Sequence, residues 1–352
     1  MNGKRFFLSA VALTLAVLLC LGGALAALDP FFVVRALEED EHAFFSNQRY
    51  EMAGLVRNQD YSAVVMGTSL VANYRGSWFT QGLGKPTLKI TFPSGWPEEF
   101  DTALRLAFDT HPELDTVYFG MDLNVLVRSP EEQDVDLPEY LYNTNPLDDV
   151  EYFLNKETYI QAAKAALKKR GGEGCTLDEA YIWDGTAEFS KEHSMQVYYR
   201  WEEYFPEEPA EPWIANADQN LAVFTAWIEE HPETEFNIWC APYSILYWDW
   251  LTHAGRVNAY LTALEHAWDI LSRYDNVRLY SFLDREDIIT NLDNYTDYIH
   301  CSGTVTKLEA ESMMAGLEPV TQDNYKEKIA ALRQFVTSYD YDALFEEAPP
   351  TD

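Results

Sequence analysis

The stretch VVMGTSLVANY, residues 64–74, joins an apolar run to Gly67-Thr68-Ser69 and then to a segment predicted to be helical through residue 79. The apolar run is typical of a short buried strand, and Ser69 stands where that strand would end. Serine is common both as a helix N-cap and as an enzymatic nucleophile, so both interpretations are open at this point. The choice between them depends on the rest of the chain.

Strand and helix patterns alternate around this stretch. After the strand candidate YSAVVMG come two more, PTLKITF and LDTVYFGMDLN, with the amphipathic helix PEEFDTALRLAFDTHP between them. The alternation resumes later with the strand candidates TEFNIWCAPYS and NVRLYSFLD, each preceded by a helical pattern. Strands that alternate with helices of about 10–15 residues predict βαβ units and a parallel sheet, so the predicted fold class is α/β.

The N-terminus has a different composition. A Lys-Arg pair precedes the uncharged run FFLSAVALTLAVLLCLGGALAAL, residues 6–28. A helix needs about 20 apolar residues to cross a bilayer, so residues 1–29 are predicted to be a transmembrane signal anchor. The basic flank predicts a cytoplasmic N-terminus and a single-pass protein whose C-terminal domain is extracytoplasmic. The alternative is a cleaved signal peptide, because ALA at residues 24–26 has the small-x-small cleavage pattern, and the domain would then be secreted.

The remainder divides into two predicted parts. Residues 30–60 form a juxtamembrane segment with a helix in EHAFFSNQRYEMAGLVRN, and residues 61–352 form the α/β domain. At about residues 128–212 the alternation gives way to a polar, aromatic, irregular stretch with one clear helix near ETYIQAAKAALKKRGG. We interpret this stretch as a cap region inserted into the α/β domain.

Composition excludes several classes of partner. The net charge is −33, from 58 acidic and 25 basic side chains, and phosphate binding needs clustered Lys and Arg, so nucleic acid is excluded. The seven histidines form no His-x-x-His or His-Glu-x-x-His pattern, and the cysteine spacing matches no zinc site. Neither a metal nor a cofactor is predicted. Cys175, Cys240 and Cys301 allow one disulfide or remain free thiols.

Polar residues follow several of the predicted strands. Because ligands bind at the carboxyl ends of the strands in an open parallel sheet, these residues are expected to meet at one rim. They are Ser69 after the first strand, Ser94 and Gly95 after the second, Asp122 and Asn124 after the third, and Asp297 and His300 after the last.

Three of these residues suit nucleophilic catalysis. A serine hydroxyl needs a base to take its proton, and histidine is suited to that role at neutral pH. The histidine in turn needs a carboxylate to fix its tautomer. Asp297 and His300 are three residues apart on one short loop, so the carboxylate can turn back to the ring. The sequence therefore predicts that Ser69, His300 and Asp297 act together.

Gly67-Thr68-Ser69 near the start of the domain and Asp-x-x-His near its end resemble the SGNH (GDSL-type) hydrolase superfamily. GTSLVAN is similar to the serine motif of its membrane-anchored, extracytoplasmic O-acyltransfer branch, which includes proteins of alginate acetylation and teichoic-acid D-alanylation. The resemblance covers about residues 61–316. It implies a three-layer, flavodoxin-like fold with a central parallel sheet, with Ser69 as nucleophile, His300 as base and Asp297 as its orienting partner. It also implies that the Gly95 N–H stabilises the oxyanion.

One block departs from the family pattern Gly-x-Asn-Asp, whose Asn donates to the oxyanion. Here the chain reads GMDLN at residues 120–124, and the in-frame Asp122 cannot donate as a carboxylate. Three alternatives stay open: Asn124 substitutes if the strand continues, backbone N–H groups of Ser69 and Gly95 build the hole, or activity is low. Asn73, four residues after Ser69, is expected to orient the serine or contact substrate.

The resemblance implies a serine esterase or O-acyltransferase that acts on a cell-envelope or secreted glycan through an acyl-serine intermediate. Its expected partners are a glycan or an acylated small molecule, the membrane, and a membrane acyl-donor protein. The alternative is a catalytically weak or inactive SGNH-like module that binds glycan or serves as a scaffold in an envelope assembly complex. The aromatic run at residues 243–250 fits either sugar stacking or a helix packed under the insertion.

Overall fold

The computed structural model describes residues 3–38, 40–135 and 137–346 and contains a six-stranded sheet. The strand order is β2-β1-β3-β4-β5-β6, and all pairs are parallel except β5 with β6. The predicted α/β class with a mostly parallel sheet is confirmed. The strands are β1 (Ala63–Gly67), β2 (Thr87–Thr91), β3 (Thr116–Gly120), β4 (Glu235–Cys240), β5 (Val277–Ser281) and β6 (Pro319–Val320).

Helices fill most of the chain between and around the strands. The α-helices are α1 (Gly3–Leu28), α2 (Gln48–Asn58), α3 (Gly76–Leu83), α4 (Pro97–Thr110), α5 (Leu123–Val127), α6 (Val150–Leu154), α7 (Lys156–Arg170), α8 (Lys191–Val197), α9 (Glu211–Glu230), α10 (Ile245–His253), α11 (Val257–Leu271), α12 (Glu286–Ile289), α13 (Gly303–Met314), α14 (Tyr325–Ser338) and α15 (Asp342–Glu346). Short 3-10 turns lie at Ser69–Val71, Pro130–Glu132, Glu139–Leu141, Leu177–Glu179 and Leu292–Asn294.

The strand order places the ends of β1 and β3 side by side. From β1 the chain crosses to β2 on one side and returns to β3 on the other, which is the common doubly wound order with its switch point between β1 and β3. Gly67 pairs with Gly120 at this point, and a Cβ on either glycine would lie within 2.8 Å of Val71 Cγ2. The two glycines therefore let the turn after β1 pack directly on the strand ends.

That turn differs from the prediction of one helix over residues 69–79. Ser69–Val71 forms a single 3-10 turn, and α3 begins only later. The Nζ of buried Lys89 donates to the carbonyls of Ala72 and Tyr74, at 2.8 Å each. The ammonium supplies these carbonyls with the donors that a continuing helix would have supplied, and it thereby stabilises the interruption.

The chain divides into two compact units. The first contains the described residues of Met1–Asp60, Thr102–Pro112 and Asp136–Ala180, and the second contains those of Tyr61–Asp101, Glu113–Val135 and Tyr181–Asp352. The sheet and every predicted site residue lie in the second unit. The predicted insertion at about residues 128–212 is shared between the units, and the predicted domain boundaries stay predictions.

In the first unit, α1 is the described helix that is long and apolar enough to cross a membrane, with a mean hydropathy of 2.5. Nearly all of its side chains are exposed. Membrane anchoring and its orientation remain predictions. The predicted juxtamembrane helix is shorter than its sequence pattern, because the Asn47 side chain caps α2 by accepting from the Tyr50 N–H.

Candidate active site

Ser69 lies just beyond the carboxyl end of β1, with its side chain half-buried. The N-cap of the 3-10 turn is Thr68, whose side chain accepts from the Leu70 N–H, so Ser69 does not serve as the N-cap. The Ser69 Oγ is 2.9 Å from the His300 Nε2. The Ser69 backbone N–H has no hydrogen-bond partner among the described residues. The hydroxyl is therefore paired with a base, and the adjacent amide is available to a ligand.

A tight loop presents His300 and Asp297. It is closed by an antiparallel bridge between Tyr295 and Cys301. Asp297 Oδ1 accepts the backbone N–H groups of Ile299 and His300 at 2.8 Å each, and Oδ2 is 2.7 Å from the His300 Nδ1. One carboxylate therefore shapes the loop and orients the ring.

The pKa of Asp297 lies below the usual aspartate value. Burial acts to raise this pKa. The His300 ring and two backbone N–H groups stabilise the charged carboxylate, and their combined lowering of the pKa outweighs the effect of burial. The carboxylate is ionised at neutral pH and favours the tautomer with the proton on Nδ1 of His300. The lone pair on Nε2 then faces the Ser69 hydroxyl, as a general base requires.

Two side chains brace the histidine from outside its loop. The Trp183 ring meets the His300 ring edge to face, with centroids 4.5 Å apart. Asn73, which is 4% exposed, accepts from the Trp183 N–H at 2.8 Å and donates to the Cys301 carbonyl at 3.0 Å. Asn73 therefore links the two segments that flank His300 and offers little surface to a substrate. Sequence reasoning missed Trp183, which lies in the irregular stretch and has no periodic pattern around it.

Asp122 is a hydrogen-bond acceptor beside the serine turn. It is 8% exposed, and its carboxylate accepts from the Thr68 hydroxyl at 2.8 Å, the Tyr243 hydroxyl at 2.9 Å and the Asn124 N–H at 2.9 Å. Thr68 precedes Ser69, so these contacts fix the turn that carries the hydroxyl. Asp122 donates to nothing, which agrees with the expectation that it cannot replace the family's Asn. The Tyr243 contact was not predicted, since 121 residues separate the partners.

Asn124 does not continue the strand. Asp122 caps α5, so Asn124 lies in a helix, and the expectation that it substitutes through a continuing strand is wrong. The Asn124 Oδ1 accepts from the Tyr247 hydroxyl at 2.6 Å. The Asn124 Nδ2 has no hydrogen-bond partner among the described residues, so it can donate to a ligand.

Gly95 is held in a turn. Its N–H donates to the Phe92 carbonyl at 2.9 Å, so in this conformation it is not offered to an oxyanion. A Cβ at this position would lie 2.8 Å from the Phe100 ring and 2.9 Å from the Phe92 Cβ. Packing alone therefore accounts for glycine here, and its family role stays a prediction.

A buried carboxyl lies behind the histidine segment. Glu309 is 0% exposed, accepts from the Tyr74 hydroxyl at 2.7 Å and lies 3.7 Å from the Cys301 Sγ. Burial raises the pKa of Glu309 from 4.5 to about 8. The carboxyl is therefore mostly protonated at neutral pH. Its contact with Cys301 places it beside the residue that follows His300.

We expect this carboxyl to make stability pH-dependent. Its pKa is raised on folding, so its contribution is fully present below about pH 4.5 and is lost as the pH rises through about 8. Between roughly pH 6 and pH 9 the free energy of unfolding should fall by about 2–3 kcal/mol more in the wild type than in Glu309→Gln. Urea unfolding across this range measures the difference.

The matched control is Glu311→Gln, which removes an exposed carboxyl from the same helix, α13. It should follow the wild-type pH profile. Parallel profiles for the wild type and Glu309→Gln would contradict a neutral, buried Glu309.

The described residues hold no disulfide and no metal cluster. The four cysteines form no disulfide among the described residues, and Cys240 and Cys301 are buried. No group of three or more His, Cys, Asp or Glu side chains that could hold a metal ion occurs among residues 3–38, 40–135 and 137–346. No protein-family model and no curated protein matches the chain. The geometry around Ser69 is therefore the observation that bears on function.

Proposed function

We propose that this protein is an extracytoplasmic, SGNH-type serine esterase or O-acyltransferase that acts on a cell-envelope or secreted glycan. The observation that carries the proposal is the continuous hydrogen-bonded path from Ser69 Oγ to His300 Nε2 and from His300 Nδ1 to Asp297 Oδ2, at 2.9 and 2.7 Å. The serine follows a central strand at the switch point of a doubly wound sheet, where ligands bind. The motifs that resemble the SGNH superfamily supply these three residues.

The chemistry follows from the path. The Ser69 Oγ attacks the acyl carbonyl while its proton passes to the His300 Nε2, and Asp297 stabilises the resulting imidazolium. The tetrahedral intermediate collapses, and the imidazolium protonates the departing oxygen, which leaves an ester on Ser69. Water then releases a carboxylic acid, or a sugar hydroxyl takes the acyl group, with His300 again acting as the base.

The negative charge on the oxygen of the tetrahedral intermediate needs hydrogen-bond donors to stabilise it. The Ser69 backbone N–H is open, and the Asn124 Nδ2 has no partner among the described residues. Losing one oxyanion donor costs about 10²–10³ in rate. We therefore propose Ser69 N–H as the principal donor and expect a slow enzyme unless Asn124 reaches the oxyanion.

The apolar helix α1 supports the proposed location, because a membrane anchor would hold the domain beside the envelope. An anchored transferase can draw on a membrane-bound acyl donor, and we include such a donor protein in the proposal as a partner by resemblance only.

Covalent labelling tests the nucleophile. A fluorophosphonate probe should form a phosphonyl ester on the Ser69 Oγ with loss of fluoride, and Ser69→Ala should not be labelled. The measurement is in-gel fluorescence of the full chain in detergent micelles. Ser62→Ala, which removes another half-buried serine next to β1, is the matched control and should label like the wild type. Equal labelling of wild type and Ser69→Ala would remove Ser69 from this role.

A second candidate is a catalytically weak module that binds glycan as a scaffold. Two observations favour it: the Gly95 N–H is bonded to the Phe92 carbonyl, and the in-frame Asp122 only accepts. This candidate predicts glycan binding that survives Ser69→Ala together with no turnover of p-nitrophenyl acetate. Hydrolysis that disappears in Ser69→Ala would exclude it.

A further inference from the structure

A pocket of about 390 Å³ lies beside the residues that follow β3. This volume is within the range of small-molecule sites, about 300–1,000 Å³. Its lining includes three aromatic rings, two guanidinium groups and the carboxylates of Glu132 and Glu208, a combination that suits a ligand with both a ring and a charge. Among the lining residues are Asn124, Arg128, Trp213, Tyr247, Trp250 and Arg256.

Arg128 is a half-buried cation without a counter-ion. Its guanidinium carbon lies 3.7 Å from the centroid of the Trp96 ring, and its one hydrogen bond among the described residues goes to the Ser94 carbonyl at 3.3 Å. Its Nε is buried and has no hydrogen-bond partner in the described part of the chain. Carboxylates of Glu99, Asp122 and Glu132 act on it through space, but none of them pairs with it. A partly desolvated guanidinium is costly to leave unpaired, and most of its donors remain available.

The second guanidinium is already neutralised. Arg256 donates through Nε to Glu208 at 2.7 Å, and the same carboxylate accepts from the Trp213 Nε1 at 3.0 Å. The Arg256 guanidinium lies 5.9 Å from the Trp213 ring and 5.8 Å from the Trp250 ring. These contacts hold the half-buried indole rings of Trp213 and Trp250 on one side of the pocket. Arg128 is therefore the cation in this pocket that a ligand can neutralise.

The pocket is connected to the proposed catalytic residues on two sides. Tyr247 in its lining donates to Asn124, and the Asn124 N–H is bonded to Asp122, which holds the serine turn. The Tyr247 ring also stacks on Tyr298, with centroids 6.0 Å apart and planes 13° apart, and Tyr298 lies in the loop of Asp297 and His300. A ligand in the pocket would therefore contact side chains that are linked to both the serine turn and the histidine loop.

We propose that this pocket binds a sugar residue that carries one negative charge, with its anionic group on Arg128 and its ring against Trp213 and Trp250. This proposal deepens the proposed function and rests on it for the claim that the bound glycan is the acyl acceptor or donor. A planar guanidinium suits a carboxylate or a phosphodiester, and aromatic faces suit the apolar face of a sugar ring. One negative charge on the ligand would pair with Arg128, the cation in the lining to which no carboxylate is bonded.

Calorimetric titration of the full chain in detergent micelles tests the proposal. The probes are trigalacturonate, its methyl ester, maltotriose and α-D-glucosyl methyl phosphate. We expect one or both anionic probes to bind and the ester and maltotriose to bind at least tenfold more weakly. Arg128→Gln should weaken anion binding about 10–100-fold, since charged hydrogen bonds are lost, and Arg128→Lys should recover part of it. Melting temperatures establish that the variants are folded.

Arg278→Gln is the matched control, because Arg278 is exposed and bonds only to nearby backbone carbonyls. It should bind the anionic probes like the wild type. Binding of trigalacturonate alone identifies a carboxylate ligand, and binding of the phosphate probe alone identifies a phosphodiester. Absence of binding by both, equal binding of acid and ester, or unchanged affinity in Arg128→Gln would overturn the proposal.

Ser69→Ala separates this proposal from the proposed function. It should bind the anionic probe with wild-type affinity. If binding requires Arg128 but the wild type is not labelled by fluorophosphonate, the acyl chemistry fails and the sugar site stands. If labelling requires Ser69 but Arg128→Gln changes no affinity, the sugar site fails and the acyl chemistry stands.

Discussion

His300→Ala is expected to lower kcat/KM for p-nitrophenyl acetate by about 10⁴-fold. The ring is the sole base within hydrogen-bonding distance of the Ser69 Oγ among the described residues, so its loss leaves the hydroxyl protonated. Complete serine triads lose about 10⁶-fold on such a change. We expect less here because the oxyanion donors identified are few, which lowers the wild-type rate toward the background. Initial rates at neutral pH measure the effect.

His266→Ala is the matched control for this variant. His266 and Asp218 form a second histidine–carboxylate pair, 2.6 Å apart, on an exposed surface and without a serine. Its removal should leave the rate unchanged. Asp297 keeps its bonds to the backbone N–H groups of residues 299 and 300 in His300→Ala, so the variant should remain folded, with a melting temperature within a few degrees of the wild type. A folded His300→Ala with more than a tenth of wild-type activity would contradict the proposed base.

The sheet could be predicted from the sequence because its strands are short, buried and apolar. A run such as Ala63–Gly67 has every residue buried, and the helices between the strands are amphipathic. The strand β6 was missed, since two residues carry no pattern. The interruption after Ser69–Val71 was missed for another reason: it depends on Lys89, whose ammonium reaches back to carbonyls across 15 and 17 residues.

The same contrast applies to the candidate site. Ser69, Asp297 and His300 could be proposed because strand ends converge in a parallel sheet and because two of them share one loop. The side chains that surround these three residues could not be predicted, since they depend on contacts between residues far apart in the sequence. Trp183 meets His300 from a stretch without periodicity, and Tyr243 reaches Asp122 across 121 residues. The composition also gave no indication of Arg128, because a net charge of −33 does not show which basic side chains lack a carboxylate partner.

Asp297→Asn is expected to lower kcat by about 10³–10⁴-fold while leaving the loop intact. The Asp297 Oδ1 accepts the N–H groups of Ile299 and His300, and an asparagine Oδ1 can keep both bonds. The new Nδ2 then faces the His300 Nδ1, where the carboxylate now lies at 2.7 Å. An amide donor there stabilises the tautomer with the proton on Nε2, which cannot accept the Ser69 proton. Rates with p-nitrophenyl acetate, together with circular dichroism of the folded variant, measure the effect.

The outcome distinguishes an orienting carboxylate from a loop residue. Asp293→Asn is the control, because Asp293 precedes the same loop and its carboxylate accepts the Lys191 N–H without a contact to His300. If Asp297 only shaped the loop, both variants would retain activity, since both keep an oxygen acceptor. A large loss in Asp297→Asn alone means that the charge and the acceptor at Nδ1 are what the histidine needs. Activity within threefold of the wild type in Asp297→Asn would leave His300 without a defined tautomer, and the proton path from Ser69 would have no physical basis.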